Sequence, residues 1–389
     1  MPIALLASTA ANAEASQIIG TLNGVINQIN TQTVQVSNMQ GLRNTVVGGD
    51  FYTNPFQRGT SFTGITSTLT YTADRFWAVG ASGSSISVSQ QTTTPPPGFL
   101  AHLRFGRADS NADTSVINLG QVFTTANSAR YQGQPFVLSF YARSGVGFSS
   151  ASAALGVTVG TGTGTDESAV LFNSTSWTGY ASTQLIGSAG TVATSVTLTS
   201  TFQRFALAGV VPVASKQVGF NFSYTPVGTA TSDYVELTGI QFEVMPQGGV
   251  NPTPFEFRPA SLEASLAYYY FYRAAEPQSG AKMFQGQANS TTVASILIPF
   301  PVPMRIITTT SLTVSTCSQG TYNITAANGT LATSGLATAG GLTLATGTGT
   351  VRGIIATATL SQAALTAAGD TTFLIGQGGS GSISVSAEL

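Results

Sequence analysis

The chain is predicted to be all-β: two β-sandwiches, the second smaller, preceded by an N-terminal α-helical coiled-coil segment. Three observations carry this. Short stretches rich in Thr, Val, Phe and Tyr alternate polar and apolar residues, the period of a half-buried strand. Clusters of Gly, Pro, Ser and Thr separate them at the spacing of turns. Only residues 16–42 carry a different, helical period.

Residues 1–44 form the predicted oligomerisation or anchoring segment. Ile18, Leu22, Val25, Ile29, Gln32, Val36 and Met39 follow one another at spacings of 4, 3, 4, 3, 4 and 3, a heptad seam with one polar member. Such a seam needs partner helices to leave water, so it predicts self-association. Its β-branched members are compatible with a homotrimer, and Gln32 can fix register. Gly20 and Gly24 oppose the helix by about 1 kcal/mol each relative to Ala. The competing reading is a lone amphipathic helix packed on its own domain or on a larger surface.

Residues 45–258 form the predicted main sandwich. Strand patterns occur at SISVSQ (85–90), PFVLSFYA (135–142), ALGVTVG (154–160), SVTLTS (195–200), VGFNFSYT (218–225) and YVELTGIQFEVM (234–245). PPPG (95–98), GTGTGT (160–165), TPVGT (225–229) and PQGG (246–249) read as turns. Residues 259–273 read as a linker: Pro259 and Ser261 can start a helix, Glu263 suits its first turn, and Tyr268–Tyr272 follow as an aromatic block that suits packing between domains. Residues 274–389 return to β patterns at 291–306, 311–317, 353–360 and 381–389.

The order of these pieces carries a resemblance. YVELTGIQFEVMPQGGVNPTPFEFRPASLEASLAYYYFYR (234–273) joins a strand, a Pro/Gly turn, TPFEFRP, a short helix and an aromatic block. GGDFYTNPFQRGT (48–60), YTADRFW (71–77), PFVLSFYARS (135–144), TFQRFAL (201–207) and FPVPMR (300–305) lie around it in sequence. The set resembles bacteriophage tail-fibre and virion surface proteins. That resemblance implies a jelly-roll sandwich like those of carbohydrate-binding modules, a place on the virion surface, contacts with other tail or capsid proteins, and attachment to bacterial surface glycan. A capsid-decorating head fibre and a polysaccharide-degrading tailspike are the alternatives it leaves open.

Composition narrows the function. Charged residues make up 7% of the chain, against a usual quarter, and the formal net charge is −1. No basic stripe exists to follow a phosphate backbone, so nucleic acid is not an expected partner. No run of about 18 apolar residues exists, so no membrane-spanning helix is expected. Ala11-Asn12-Ala13 resembles a signal-peptide cleavage site, but no basic residue precedes it, which argues against that route. The single cysteine, Cys317, excludes an intrachain disulfide and reads as a small buried side chain; His102 is the only histidine.

Candidate sites are few, and no cofactor is implied. Asp109, Asn111 and Asp113 alternate in ADSNADTS, a spacing that can wrap calcium; a solvated Asx turn explains it better. Trp77 lies in a strand-like setting and is expected in the core. Trp177 and Tyr180 lie in NSTSWTGY, a loop-like setting, and are expected as exposed glycan-contact aromatics. Glu236 and Glu243 lie seven apart in one strand-like run, so simple alternation puts them on opposite faces and makes them a poor catalytic pair. No hydrolytic activity is expected.

Overall fold

In the computed structural model, residues 20–26, 42–229, 231–245, 251–275, 282–290, 293–305, 323–326, 342–344, 352–359, 371–375 and 382–389 are described. Residues 20–26 form a helix, α1, on which Leu22 and Val25 are exposed. Of the heptad seam, Ile18, Ile29, Gln32, Val36 and Met39 lie outside the described residues, as does Cys317.

Alternating side chains build the main sandwich from β1 Ser61–Ile65, β2 Thr70–Tyr71, β3 Trp77–Val79, β4 Ile86–Gln91, β5 His102–Arg107, β6 Ile117–Val122, β7 Pro135–Ser144, β8 Ala154–Gly162, β9 Ala181–Ser182, β10 Ile186–Gly187, β11 Ser195–Thr197, β12 Gln203–Val210, β13 Gln217–Tyr224 and β14 Tyr234–Val244. The first sheet has the order β1-β4-β5-β14-β7-β12-β10; the second has β11-β8-β13-β6-β3-β2, with β9 beside β8. Every pairing is antiparallel. From β5 to β8 the chain crosses between sheets at each step, and it does so again from β12 to β14. This is the jelly-roll-like traffic of a closed sandwich.

The core is aromatic. Phe136, Leu138, Phe140 and Ala142 of β7 point inward and are fully buried, as are Phe220 and Phe222 of β13 and Phe242 of β14. Phe136 stacks on Phe242 with ring centroids 4.7 Å apart, and Phe140 meets Phe222 edge-on at 4.7 Å. Burying a phenylalanine contributes roughly 1.5–3 kcal/mol, so this inner layer dominates the stability of the domain. The expected strands match β4, β7, β8, β11, β13 and β14 to within a few residues. The expected strands do not include β5 and β6; in β6, Gly120 interrupts the alternation.

Two short helices sit between strands, α2 at Thr125–Ser128 and α3 at Ala169–Asn173; Thr124 and Ser168 cap them by accepting from Asn127 N and Leu171 N. α4, Ala260–Tyr268, begins after Pro259 and lies against the sandwich. Glu263 pairs with Arg258 at 2.7 Å and accepts from Gly48 N at 2.9 Å. The aromatic block ends on the same surface: Arg75 lies 3.6 Å over the Tyr270 ring and Arg58 3.4 Å over the Phe271 ring. Beyond it, β15 Phe271–Ala275 pairs with β22 Ser382–Ser386. A six-stranded sheet has the order β18-β21-β16-β17-β20-β19, from β16 Lys282–Ala288, β17 Val293–Pro299, β18 Asn323–Ala326, β19 Leu342–Leu344, β20 Gly353–Thr359 and β21 Thr371–Ile375. The C-terminal residues return to the main sandwich. Glu388 pairs with Arg58 at 3.2 Å and with Arg75, and the Leu389 side chain enters a cluster with Trp77, Val79, Val122, Phe172 and Trp177. Among the described residues, no helix is long and apolar enough to cross a membrane.

Candidate functional site on the outer face of the first sheet

Leu103 and Phe105 of β5, Val235 and Leu237 of β14 and Phe140 and Ala142 of β7 face the core. The intervening residues therefore stand on the outer face. Register sets Glu236 directly between two cations: it pairs with Arg104 on β5 and with Arg143 on β7. Arg104 donates from Nε and Nη2 to Glu236 Oε1 at 3.0 and 2.7 Å, and Arg143 Nε donates to Oε2. His102 Nε2 lies 3.3 Å from Oε1. Burial opposes ionisation of Glu236, but the adjacent His102 and the hydrogen bonds from Arg104 and Arg143 outweigh it and hold the pKa down at about 2.

Each guanidinium also lies on an aromatic ring. Arg104 stands 4.0 Å over Tyr234, Arg143 4.5 Å over Phe202 and Arg204 5.8 Å from the Tyr141 ring centre. Phe202 meets His102 edge-on at 5.3 Å. At the far end, Phe99, Phe255 and Phe257 form a mutual cluster, with Tyr141 against Phe99 at 5.2 Å; Phe257 is 56% exposed. The face thus combines half-exposed rings with fixed hydrogen-bond donors on rigid strands, the two elements that recognise a polar ligand with apolar C–H surfaces.

A β-bulge shapes this face. The pairing of β14 with β7 shifts between Thr238 and Gln241, where Gly239 has φ +59°. One extra residue enters β14, so Glu236 and Glu243 face the same side, contrary to the simple alternation. Glu243 accepts from Gln241 Nε2, from Thr253 N and from Thr253 Oγ1. Six paired steps separate the two carboxylates along β7, roughly 20 Å at strand rise. Glycosidase carboxylates stand about 5–9.5 Å apart, so this pair does not have that geometry.

The aromatic contact expected at Trp177 is corrected. Trp177 is 2% exposed. Its ring packs on Phe172 at 4.9 Å, and its indole N–H donates to Ser168 O at 3.0 Å. The polar loop around it folds back because α3 supplies both an apolar wall and an acceptor. Tyr180 is half-buried, edge-on to Phe172, with its hydroxyl 3.3 Å from Ser182 Oγ. Trp77 is fully buried, as expected.

The oxygens of the Asp109–Asn111–Asp113 loop serve the loop. Asp109 Oδ1 accepts from Ser232 N, Asn111 Oδ1 from Asp113 N, and Asp113 from Ser84 and Ser115. The positive charge there is Arg107, which donates to Asp113 O, Gly228 O and Asp233 Oδ2. Among the described residues, no group of three His, Cys, Asp or Glu side chains is placed to hold a metal ion. A separate cleft of about 640 Å³ is lined by Leu42, Thr45, Arg130, Leu266, Tyr269 and Pro303 among others; its walls are mostly apolar and include no carboxylate.

No family model matches the chain, and no curated protein does. Solved structures give distant likenesses. The enzymatically active domain of bacteriophage CBA120 tailspike protein 4 is similar at 13% identity and TM-score 0.28, over 52% of this chain and 22% of that one. Carbohydrate-binding modules of the β-sandwich superfamily are similar at 13% identity and TM-score 0.29, over 46% and 62%. The family 11 carbohydrate-binding module of Clostridium thermocellum, in complex with a mixed-linked tetrasaccharide, is similar at 9% identity and TM-score 0.27, over 46% and 91%. Likeness at this level carries no assignment; the all-β class rests on the strands described above.

Proposed function

We propose that the protein is a bacteriophage virion surface fibre, assembled as a trimer through its N-terminal segment, that attaches to bacterial surface glycan by binding without cleavage. The observation that carries the binding reading is the outer face of β5, β14, β7 and β12, where Tyr234, Tyr141 and Phe202 alternate with Arg104, Arg143 and Arg204. Sugars meet proteins through ring stacking and hydrogen bonds to hydroxyls, and this face offers both on a rigid sheet. The virion reading rests on the ordered motifs from 48 to 305. Weak faces of this kind gain avidity when several copies are joined.

The test is retention on immobilised bacterial surface polysaccharides. Wild-type protein is expected to be retained on at least one, with no release of oligosaccharide. Tyr141→Ala and Phe202→Ala should each weaken retention while the fold, checked by circular dichroism, is kept. Retention on none, together with labelling of purified phage capsids by antibody, would instead favour capsid decoration.

A further inference from the structure

We infer that the glycan bound at this face is anionic, its oxyanion being taken by the Arg104–Arg143 pair. The inference rests on the proposed glycan face and adds the charge class of its ligand.

The carboxylates of this face are sealed: Glu236 and Glu243 are each 1% exposed. The guanidinium side chains are not: Arg104 is 34% exposed and Arg143 21%. The charge this face presents to a ligand is therefore positive, on a chain of which only 7% is charged. Each guanidinium is held from below. Arg104 spends Nε and Nη2 on Glu236, and Arg143 spends Nε on Glu236 and Nη2 on Thr94 Oγ1. Their Nη1 groups have no hydrogen-bond partner among the described residues. The rings of Tyr234 and Phe202 fix the guanidinium planes. Two oriented donors thus stand on either side of β14. Their backbones are two strand spacings apart, roughly 10 Å, which spans a sugar ring and its acidic substituent. A guanidinium fork matches carboxylate or phosphate oxygens better than a neutral hydroxyl. A carboxylated sugar and a phosphodiester-linked one share this chemistry.

The experiment compares three polymers against the full-length protein by affinity electrophoresis at low and high salt: a polyuronate, the same polymer with its carboxyl groups reduced, and a phosphodiester-linked polyol glycan. Retardation by one of the two anionic polymers, weakened by salt, is expected; which of them retards identifies the oxyanion. Arg104→Lys, which keeps charge but removes the fork, should lower that affinity about tenfold. Glu236→Gln should raise it, because it removes the opposing charge while its amide oxygen still accepts from a guanidinium. A merely structural role for the cluster predicts the opposite sign, so this variant separates binding from folding damage; circular dichroism verifies that each variant is folded. Equal retardation by the polyuronate and its reduced form, with no effect of Arg104→Lys, overturns the anionic class and leaves the glycan face standing. Retardation by none of the three, for wild type and Glu236→Gln alike, overturns the anionic class; the glycan face itself then fails only if Tyr141→Ala and Phe202→Ala also leave retention on surface polysaccharides unchanged.

Discussion

Glu236 and Glu243 lie seven residues apart on one strand and face the same side of the sheet. The bulge at Gly239 produces this relation by adding one residue between Thr238 and Gln241. Its consequence reaches the ligand face. Upstream of the bulge, β14 presents Glu236 to Arg104 and Arg143; downstream, it presents Glu243 to Gln241 and Thr253. Without the extra residue, one of these acids would point into the phenylalanine core. A buried, unpaired carboxylate is among the most expensive groups a core can hold.

Gly239→Ala is therefore expected to destabilise the sandwich. Gly239 sits at φ +59°, and an added Cβ would meet the Phe99 ring at 2.6 Å. Backbone strain alone costs about 1–3 kcal/mol, and the displaced Phe99 adds to it. Urea unfolding should show a lower midpoint with an unchanged slope. A midpoint equal to wild type would mean that the strand can slip its register at no cost.

The strands were legible in the sequence wherever apolar residues alternate cleanly, as in PFVLSFYA and VGFNFSYT. The site was not, for physical reasons. Arg104, Arg143 and Glu236 are far apart in sequence, and only strand order places β14 between β5 and β7. Their shared parity was readable, since each alternates with core residues, but no local pattern announces a neighbour across the sheet. Trp177 was misread because a polar loop can fold its one large ring inward when a helix nearby offers a wall and a carbonyl. The heptad seam shows most clearly in the sequence, where its spacing is complete.

Trp177→Ala should behave as a core truncation. Large-to-small changes of buried aromatics cost about 3–5 kcal/mol, and the Ser168 carbonyl also loses its donor. The melting temperature should fall by several degrees. Retention on glycan should persist at temperatures where the variant is folded. Loss of retention with an unchanged melting temperature would return the binding site to this loop.

Two acids give opposite pH signatures. Glu236 has its folded pKa depressed to about 2 from 4.5. It contributes stability above about pH 4.5 that is lost as pH falls towards 2. Asp74 has its folded pKa raised to about 6 from 3.8: burial drives it up, against the pull of Arg58 at 3.2 Å and a hydrogen bond from Gln57 N. Its contribution is present below about pH 3.8 and is lost as pH rises through 6. Asp74→Asn should therefore flatten the stability profile between pH 4 and 6, and Glu236→Gln should flatten it between pH 2 and 4.5. Thermal melts across that range measure both. An unaltered slope in either variant would show that its acid titrates alike in the folded and unfolded chain.

Assembly supplies the last test. On α1, Leu22 and Val25 are 44% and 46% exposed in a single chain. Two large aliphatic side chains exposed on a helix are poorly placed in water, and their spacing belongs to a seam that continues through Val36 and Met39 in the sequence. An isolated helical seam is marginal in water, so partner helices are its natural support. Full-length protein at micromolar concentration is expected to sediment as a trimer. A variant lacking residues 1–41 keeps Leu42, whose carbonyl accepts from Arg130 at 2.7 Å, and should sediment as a folded monomer with the same sandwich melting transition. Leu22→Asp with Val25→Asp should have the same effect without any deletion. A full-length monomer would remove the coiled coil from the proposal. A trimer that survives both changes would place the contacts between subunits in the sandwiches instead.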